Sequence, residues 1–219
     1  MKTVSKILTG ASLAVALMAS GTAHAGTFKT ITMDGFFGDW AGVPAGVVDV
    51  ADNAGQIDFA SIQLANDDDF LYVHIVFHTA RSNGAWFAVD TDENAATGFD
   101  PFGISGQGEE AGWVNDFAVD QRTGFNVGGL GPITVIAADG LADNCCTDVI
   151  EREIAIPRSV AYINNPGPVF VDDDFTFIGW TDSGAGDVTT PTYYQFAVPE
   201  PASMALVSLG GLAMLRRRA

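Results

Sequence analysis

The stretch FLYVHIVFHT, residues Phe70 to Thr79, decides the fold of this 219-residue chain. Its odd-numbered positions from Leu71 to Phe77 are apolar, and the alternation with intervening residues is typical of a β-strand with one buried face. The turn-forming run Asn66 to Asp69 precedes it, and Gln56 to Ala65 reads as another strand whose apolar phase shifts by one residue. The two segments predict a hairpin with a bulge near Ala60.

Strand signals continue along the chain, whereas no helical period of apolar residues occurs. Further strands are predicted at Ala85 to Asp90, Trp113 to Val119, Ile133 to Ala137, Asp148 to Ile156, Phe175 to Thr181 and Thr192 to Val198. Many short strands joined by glycine-rich connections favour an all-β fold, a two-sheet antiparallel β-sandwich of the jelly-roll or immunoglobulin-like kind.

The first 25 residues form a predicted secretory signal peptide. Two lysines precede an apolar run from Ile7 to Ala19, and the small-x-small site Ala23-His24-Ala25 follows. The run is too short for a membrane-spanning helix, so cleavage before Gly26 is expected. The sandwich domain is then predicted to span residues 26–197.

The last residues, 198–219, contain three elements in order. Pro199-Glu200-Pro201 precedes the apolar stretch Ala202 to Leu215, and the basic cluster Arg216, Arg217 and Arg218 follows. This order resembles a PEP-CTERM sorting signal. The resemblance implies a short transmembrane stretch that anchors the protein transiently, processing by an exosortase, and the cell surface or matrix of a Gram-negative bacterium that makes exopolysaccharide.

Charge excludes one class of partner and favours another. Without the five basic residues and the one acid of the two terminal signals, 5 basic and 26 acidic residues remain, a net charge of −21. Such a surface repels nucleic acid, because nucleic-acid binding requires lysine and arginine against the phosphates. It attracts cations such as Ca²⁺, which prefer carboxylate and carbonyl oxygens.

Four motifs occur in an ordered series between Ile31 and Val198. They are the opening ITMDGFFGDW at residues 31–40, NDDDFLY at 66–72, DTDENAATG at 90–98 and EIAIP at 153–157. The series resembles the carbohydrate-binding module family 9-like domain, one of the DOMON-like sandwiches; the first motif has one extra residue before its second aspartate. The resemblance implies a sandwich that binds extracellular polysaccharide.

The acidic loop after Ala85 to Asp90 is the sharpest candidate site. Its alternating oxygen-bearing side chains suit a hard cation, and the predicted Ca²⁺ ligands are Asp90, Asp92, Asn94, Thr97 and Asp100. The pattern is not an EF-hand, since alanine and proline occupy its glycine and glutamate positions. The alternative is an acidic loop whose Asp and Asn side chains cap their own turns.

Tryptophans are the candidate sugar contacts, because the apolar face of a sugar ring packs on aromatic rings. Burial in the core is favoured for Trp40 and Trp180. Trp86 and Trp113 are left as the candidate carbohydrate-binding platform.

Other chemistry has weaker support. His74 and His78 lie too far apart along a strand to share a metal, and a haem site with Met33 is a minor alternative. The adjacent Cys145 and Cys146 leave open a strained ring, two free thiols or an intermolecular link. No nucleophile elbow or zinc-protease motif occurs, so no catalytic residue is predicted.

These observations predict a non-catalytic protein that binds exopolysaccharide, with Ca²⁺ bracing one loop. Two alternatives remain: a structural matrix protein without sugar binding, and an enzyme that acts on polysaccharide.

Overall fold

The computed structural model describes residues 24–103, 107–115, 117–132, 134–144, 146–181 and 186–199. The signal peptide up to residue 23 and the sorting tail from residue 200 lie outside these ranges, so the domain limits stay a prediction. Cys145 also lies outside them, whereas Cys146 is disulfide-bonded.

Two sheets make up the described part of the chain. The first contains, in spatial order, β1 (His24–Ala25), β14 (Thr192–Gln195), β13 (Asp174–Thr181), β5 (Ala85–Asp90), β6 (Ala111–Val114), β7 (Phe117–Asp120), β8 (Gly128–Gly131) and β12 (Ala161–Tyr162). The second contains β10 (Leu141–Ala142), β9 (Val135–Ala138), β11 (Glu151–Pro157), β4 (Phe70–Phe77), β3 (Phe59–Asn66) and β2 (Ala45–Val48). All neighbours pair antiparallel except β1 and β14. The predicted all-β sandwich is confirmed.

Helical structure is confined, among the described residues, to two 3₁₀ turns at Phe37–Trp40 and Pro101–Gly103. Within that same part of the chain, no helix has the length and apolar character needed to cross a membrane.

The predicted hairpin and its bulge are confirmed. Strand β3 pairs with β4, and the register shifts between Phe59 and Ser61, next to Ala60. The single strand predicted from Trp113 to Val119 is wrong, because the chain turns at Asn115 and continues as β7. Asn115 has φ of +53°, a left-handed conformation that asparagine tolerates better than most residues.

The main core lies between the two sheets and contains inward-facing residues of both. Its largest fully buried apolar side chains include Phe59, Phe77, Phe87, Trp113, Phe175 and Phe177. The apolar side chains that the strand pattern predicts to face inward are therefore buried between the two sheets.

On the outer face of the six-stranded sheet, a buried carboxylate binds the N-terminal segment through hydrogen bonds. Glu153 of β11 is 0% exposed; its Oε1 accepts the backbone N–H groups of Asp34 and Gly35, and its Oε2 accepts the indole N–H of Trp40. Trp40 packs with Tyr72 in a second, smaller core. The first and last of the four motifs are thus joined in space by three hydrogen bonds.

A buried amide ties the two ends of the described chain to the sandwich. Asn66 is 0% exposed, and its backbone exchanges hydrogen bonds with Thr27 and Lys29. Its side-chain oxygen accepts the Tyr194 hydroxyl and the N–H of Ala197, while its Nδ2 donates to the carbonyl of Ala197 at 2.8 Å. The first and last parts of the described chain therefore both contact one residue.

We expect Glu153→Ala to lower the free energy of unfolding by about 3 kcal/mol or more, because it leaves the buried N–H groups of Gly35 and Trp40 and the part-buried N–H of Asp34 without an acceptor. Urea denaturation at pH 7 measures this. The matched control is Glu151→Ala, on the same strand with a side chain that is 37% exposed, for which the expected loss is below about 1 kcal/mol. Equal losses in the two variants would contradict the structural role of Glu153.

Candidate functional site

The acidic loop begins where β5 ends and folds back over the outer face of the eight-stranded sheet. Glu109 exchanges two backbone hydrogen bonds with Phe99, and Gly108 donates its N–H to Asp90 Oδ2 at 3.3 Å. Gly98 has φ of +71°, and a Cβ there would lie 2.4 Å from the carbonyl oxygen of Glu109. The close approach of the two chain segments therefore requires glycine at this position.

Three carboxylate groups lie close together where the acidic loop folds back. One oxygen each of Asp90, Asp92 and Glu110 lies within 4.8 Å of the others. Asp90 is 1% exposed and Glu110 6% exposed. No ion pair reaches them from any basic residue that the structure describes. This is a concentration of negative charge without a protein counter-ion.

The surroundings oppose ionisation of this group. Burial, together with the charges of the neighbouring Asp92 and Asp90, raises the pKa of Glu110 to about 7. Burial likewise raises the pKa of Asp90, and holds that of the adjacent Glu109 well above its usual range. A cation bound between the carboxylates would relieve both the burial and the repulsion.

The predicted metal ligands separate into two sets. Asp90 and Asp92 lie in the carboxylate group, whereas Asp100 does not. Asp92 also accepts the N–H of Asn94 and the hydroxyl of Thr97. The loop thus contains the self-capping turn that was the alternative interpretation, alongside a carboxylate group that could hold a cation.

Glu110 is the site residue that sequence reasoning missed. It lies 20 residues after Asp90 and immediately before β6. Its Oε2 accepts the N–H of Thr91 at 2.9 Å, and its backbone N–H donates to Val89. The available signal was a pair of glutamates next to a strand in a glycine-rich segment. The folding of the loop brings them close to Asp90, and no local sequence pattern predicts that approach.

The predicted tryptophan platform is wrong. Trp86 is 4% exposed and Trp113 is 0% exposed, so neither presents a ring to solvent. Trp113 faces the main core, because its phase on β6 points between the sheets. Trp86 faces outward but lies beneath covering loops. Trp40 and Trp180, predicted to be core residues, are buried as well.

A second aromatic layer covers the outer face of the eight-stranded sheet. Trp86 and Trp180 are cross-strand neighbours, with rings stacked at a centroid distance of 5.0 Å and an interplanar angle of 5°. Phe125, in the loop after β7, packs edge-on against both and is 47% exposed. Phe99 packs between Phe125 and Trp180. One solvent-accessible ring therefore lies on top of two buried ones.

Polar atoms without partners accumulate beneath the same loops. Gln107 and Gln121 are 1% and 0% exposed, and neither amide makes a hydrogen bond in the described structure. Glu109 accepts the indole N–H of Trp180 through Oε2, but its Oε1 is unpaired. Buried polar groups in proteins nearly always have partners, so these atoms have hydrogen-bonding capacity that the described residues leave unused.

His74 is buried and enclosed by aromatic and polar neighbours. His74 is stacked between Phe37 and Trp40, and its two ring nitrogens contact Gln63 Oε1 and Glu151 Oε2 at 2.8 and 3.2 Å. The contact with Glu151 favours a charged ring, but burial outweighs it and lowers the pKa of His74 to about 4. His74 is therefore a neutral packing residue.

We expect His74 to make the fold sensitive to acid. Its pKa rises from about 4 in the folded state to 6.5 in the unfolded state, so its stabilising contribution is complete above pH 6.5 and is lost as the pH falls towards 4. The loss attributable to His74 is about 2 kcal/mol at pH 5.

Urea denaturation at pH 8 and pH 5 measures this contribution. The variant His74→Gln should lack it, while the exposed His78→Gln should behave as the unmutated protein does. A pH dependence that is the same in all three proteins would contradict the assignment.

The comparisons with known proteins bear first on the C-terminus. Residues 197–219 match the model of the PEP-CTERM protein-sorting motif. The chain carries a PEP-CTERM sorting motif. The predicted sorting signal is thereby confirmed, and it is the signal of an exported protein. Curated protein sequences give no match.

A solved structure resembles the described domain. It is "A carbohydrate binding module family 9 (CBM9) from Caldicellulosiruptor kristjanssonii in complex with cellotriose", and it matches with a TM-score of 0.43 and 12% identity over 81% of this chain and 95% of that one. A likeness at this score carries no argument about what the present chain binds.

Proposed function

We propose that this chain is a non-catalytic protein of the cell surface or extracellular matrix of a Gram-negative bacterium, and that it binds extracellular polysaccharide. An exosortase would process its tail. The sorting motif supports export. The ordered series of four motifs, which resembles carbohydrate-binding module family 9-like domains, supports a binding rather than a catalytic role.

The observation that carries the proposal is the covered aromatic layer of the eight-stranded sheet. Phe125 presents an accessible ring above Trp86 and Trp180, and the unpaired amides of Gln107 and Gln121 lie beneath the same loops. Sugars offer an apolar ring face together with hydroxyl groups that donate and accept hydrogen bonds. The accessible ring of Phe125 suits the apolar face of such a ligand.

We further propose that Ca²⁺ binds Asp90, Asp92 and Glu110. The residues fit a hard cation, because all three offer carboxylate oxygens and two of these oxygens, Asp90 Oδ1 and Glu110 Oε1, are buried without a hydrogen-bond partner. When bound, the ion would supply positive charge. Asn94 and Thr97 would hold Asp92 in place through the loop.

The calcium proposal predicts opposite effects of one double variant with and without the ion. In EDTA, Asp90→Asn with Glu110→Gln should keep or raise the melting temperature, because it removes two buried and unpaired charges. In millimolar CaCl₂ the unmutated protein should gain stability, and the double variant should not. Calorimetry in the two buffers measures both effects.

The matched control is Asp68→Asn with Asp172→Asn, which removes the same charge from two exposed positions. This control should retain the full calcium response. An unmutated protein whose melting temperature does not respond to calcium would contradict the site.

The sugar proposal predicts that Phe125→Ala weakens polysaccharide binding about tenfold, because a lost ring contact costs about 1–1.5 kcal/mol. Affinity electrophoresis in gels that contain a panel of polysaccharides measures binding. The matched control is Phe117→Ala, since Phe117 is 55% exposed and begins the strand that ends before the Phe125 loop. This control should bind as tightly as the unmutated protein.

A second function, a structural matrix protein without sugar binding, is favoured by one observation. All four indoles are buried, so no tryptophan is available to a sugar in this conformation. A protein that no polysaccharide retards would support this role and contradict the first. Release of reducing ends from any polysaccharide would instead indicate an enzyme.

A further inference from the structure

A pocket of about 350 Å³ opens beside the Phe125 loop. It lies between the loop that follows β7 and the segment that follows β12. Its lining residues are Asp120, Arg122, Thr123, Val127, Asn164 and Asn165. The volume falls at the small end of the range for small-molecule sites, about 300–1,000 Å³. It suits one or two sugar rings rather than a long chain.

The wall of the pocket is held rigidly by Arg122. Its guanidinium forms a two-pronged ion pair with the buried Asp120, with nitrogen–oxygen distances of 2.7 and 3.1 Å. It also donates to the carbonyls of Asn164 and Asn165, and its plane lies 3.6 Å from the centre of the Tyr162 ring. A rigid wall reduces the entropy that binding must overcome.

The polar groups on the rim remain available. The side chains of Thr123, Asn164 and Asn165 are exposed, and the described structure gives them no hydrogen bond. A hydroxyl and two amides can each donate and accept hydrogen bonds. These are the two capacities that a sugar hydroxyl requires of its partner.

The charge around the pocket separates neutral from acidic ligands. The only basic residue in its lining, Arg122, is already neutralised by Asp120. The domain between the two terminal signals has a net charge of −21. An anionic ligand such as a uronate would find no free cation in the pocket and would approach a negative surface.

We propose that this pocket binds a neutral sugar unit of the polysaccharide and discriminates against uronates. The inference rests on the proposed function and adds the location of the site and the class of sugar. Phe125 would contact the next part of the same chain, because it belongs to the loop that forms one wall.

The test compares neutral and acidic polysaccharides on the purified protein. Dextran, xylan and galactomannan represent the neutral class, and alginate and polygalacturonate represent the uronates, all at one low calcium concentration. We expect at least one neutral polysaccharide to retard the protein and the uronates to leave its mobility unchanged. Thr123→Ala with Asn164→Ala should weaken neutral binding about tenfold, whereas Gln56→Ala, an exposed amide outside the pocket, should not.

The failures are distinguishable. If the protein binds a neutral polysaccharide and the Thr123–Asn164 double variant, with an unchanged melting temperature, binds it equally well, the pocket is not the site although the proposed function stands. Tighter binding of uronates than of neutral chains would overturn the neutral class. No binding to any polysaccharide would overturn the proposed function and the inference with it.

Discussion

The packing of the N-terminal segment on the outer face of the six-stranded sheet depends on the hydrogen bonds of the Glu153 carboxylate. It lies on β11, between β4 and β9, where water does not reach it, so its burial is tolerable only with full hydrogen bonding. The turn at Asp34 and Gly35 and the indole of Trp40 supply that bonding from more than 110 residues away. The N-terminal segment is thereby held over one sheet, and the loops that follow β5 and β7 pack on the outer face of the other.

Buried carboxylates in this protein are of two kinds. Glu153 has three donors, as a structural residue requires. Asp90, Glu109 and Glu110 each have at least one buried oxygen without a partner. Asp58, elsewhere in the fold, also has one unpaired buried oxygen, but only in the loop do three such acids lie near one another among the described residues, and the calcium proposal depends on that grouping.

The sequence predicted what is local and repeated, and missed what depends on loop closure. The alternation in β4 and the phase shift at Ala60 were sufficient for the hairpin and its bulge, because side-chain alternation follows directly from strand geometry. The turn at Asn115 was missed because its flanks continue the apolar pattern. The burial of Trp86 was missed because alternation gives the face of a residue but not what covers that face.

A backbone hydrogen bond connects the carboxylate group of Asp90, Asp92 and Glu110 to the chain segment that lines the pocket. Glu110 contributes a carboxylate to the first, and its carbonyl accepts the N–H of Gln121, the residue before Arg122. Tyr162, which supports Arg122, has a pKa raised by burial and, next, by the charge of Glu110. The loop that holds the carboxylates and the loop that forms the pocket are thus connected by one backbone hydrogen bond and by the electrostatic effect of Glu110 on Tyr162.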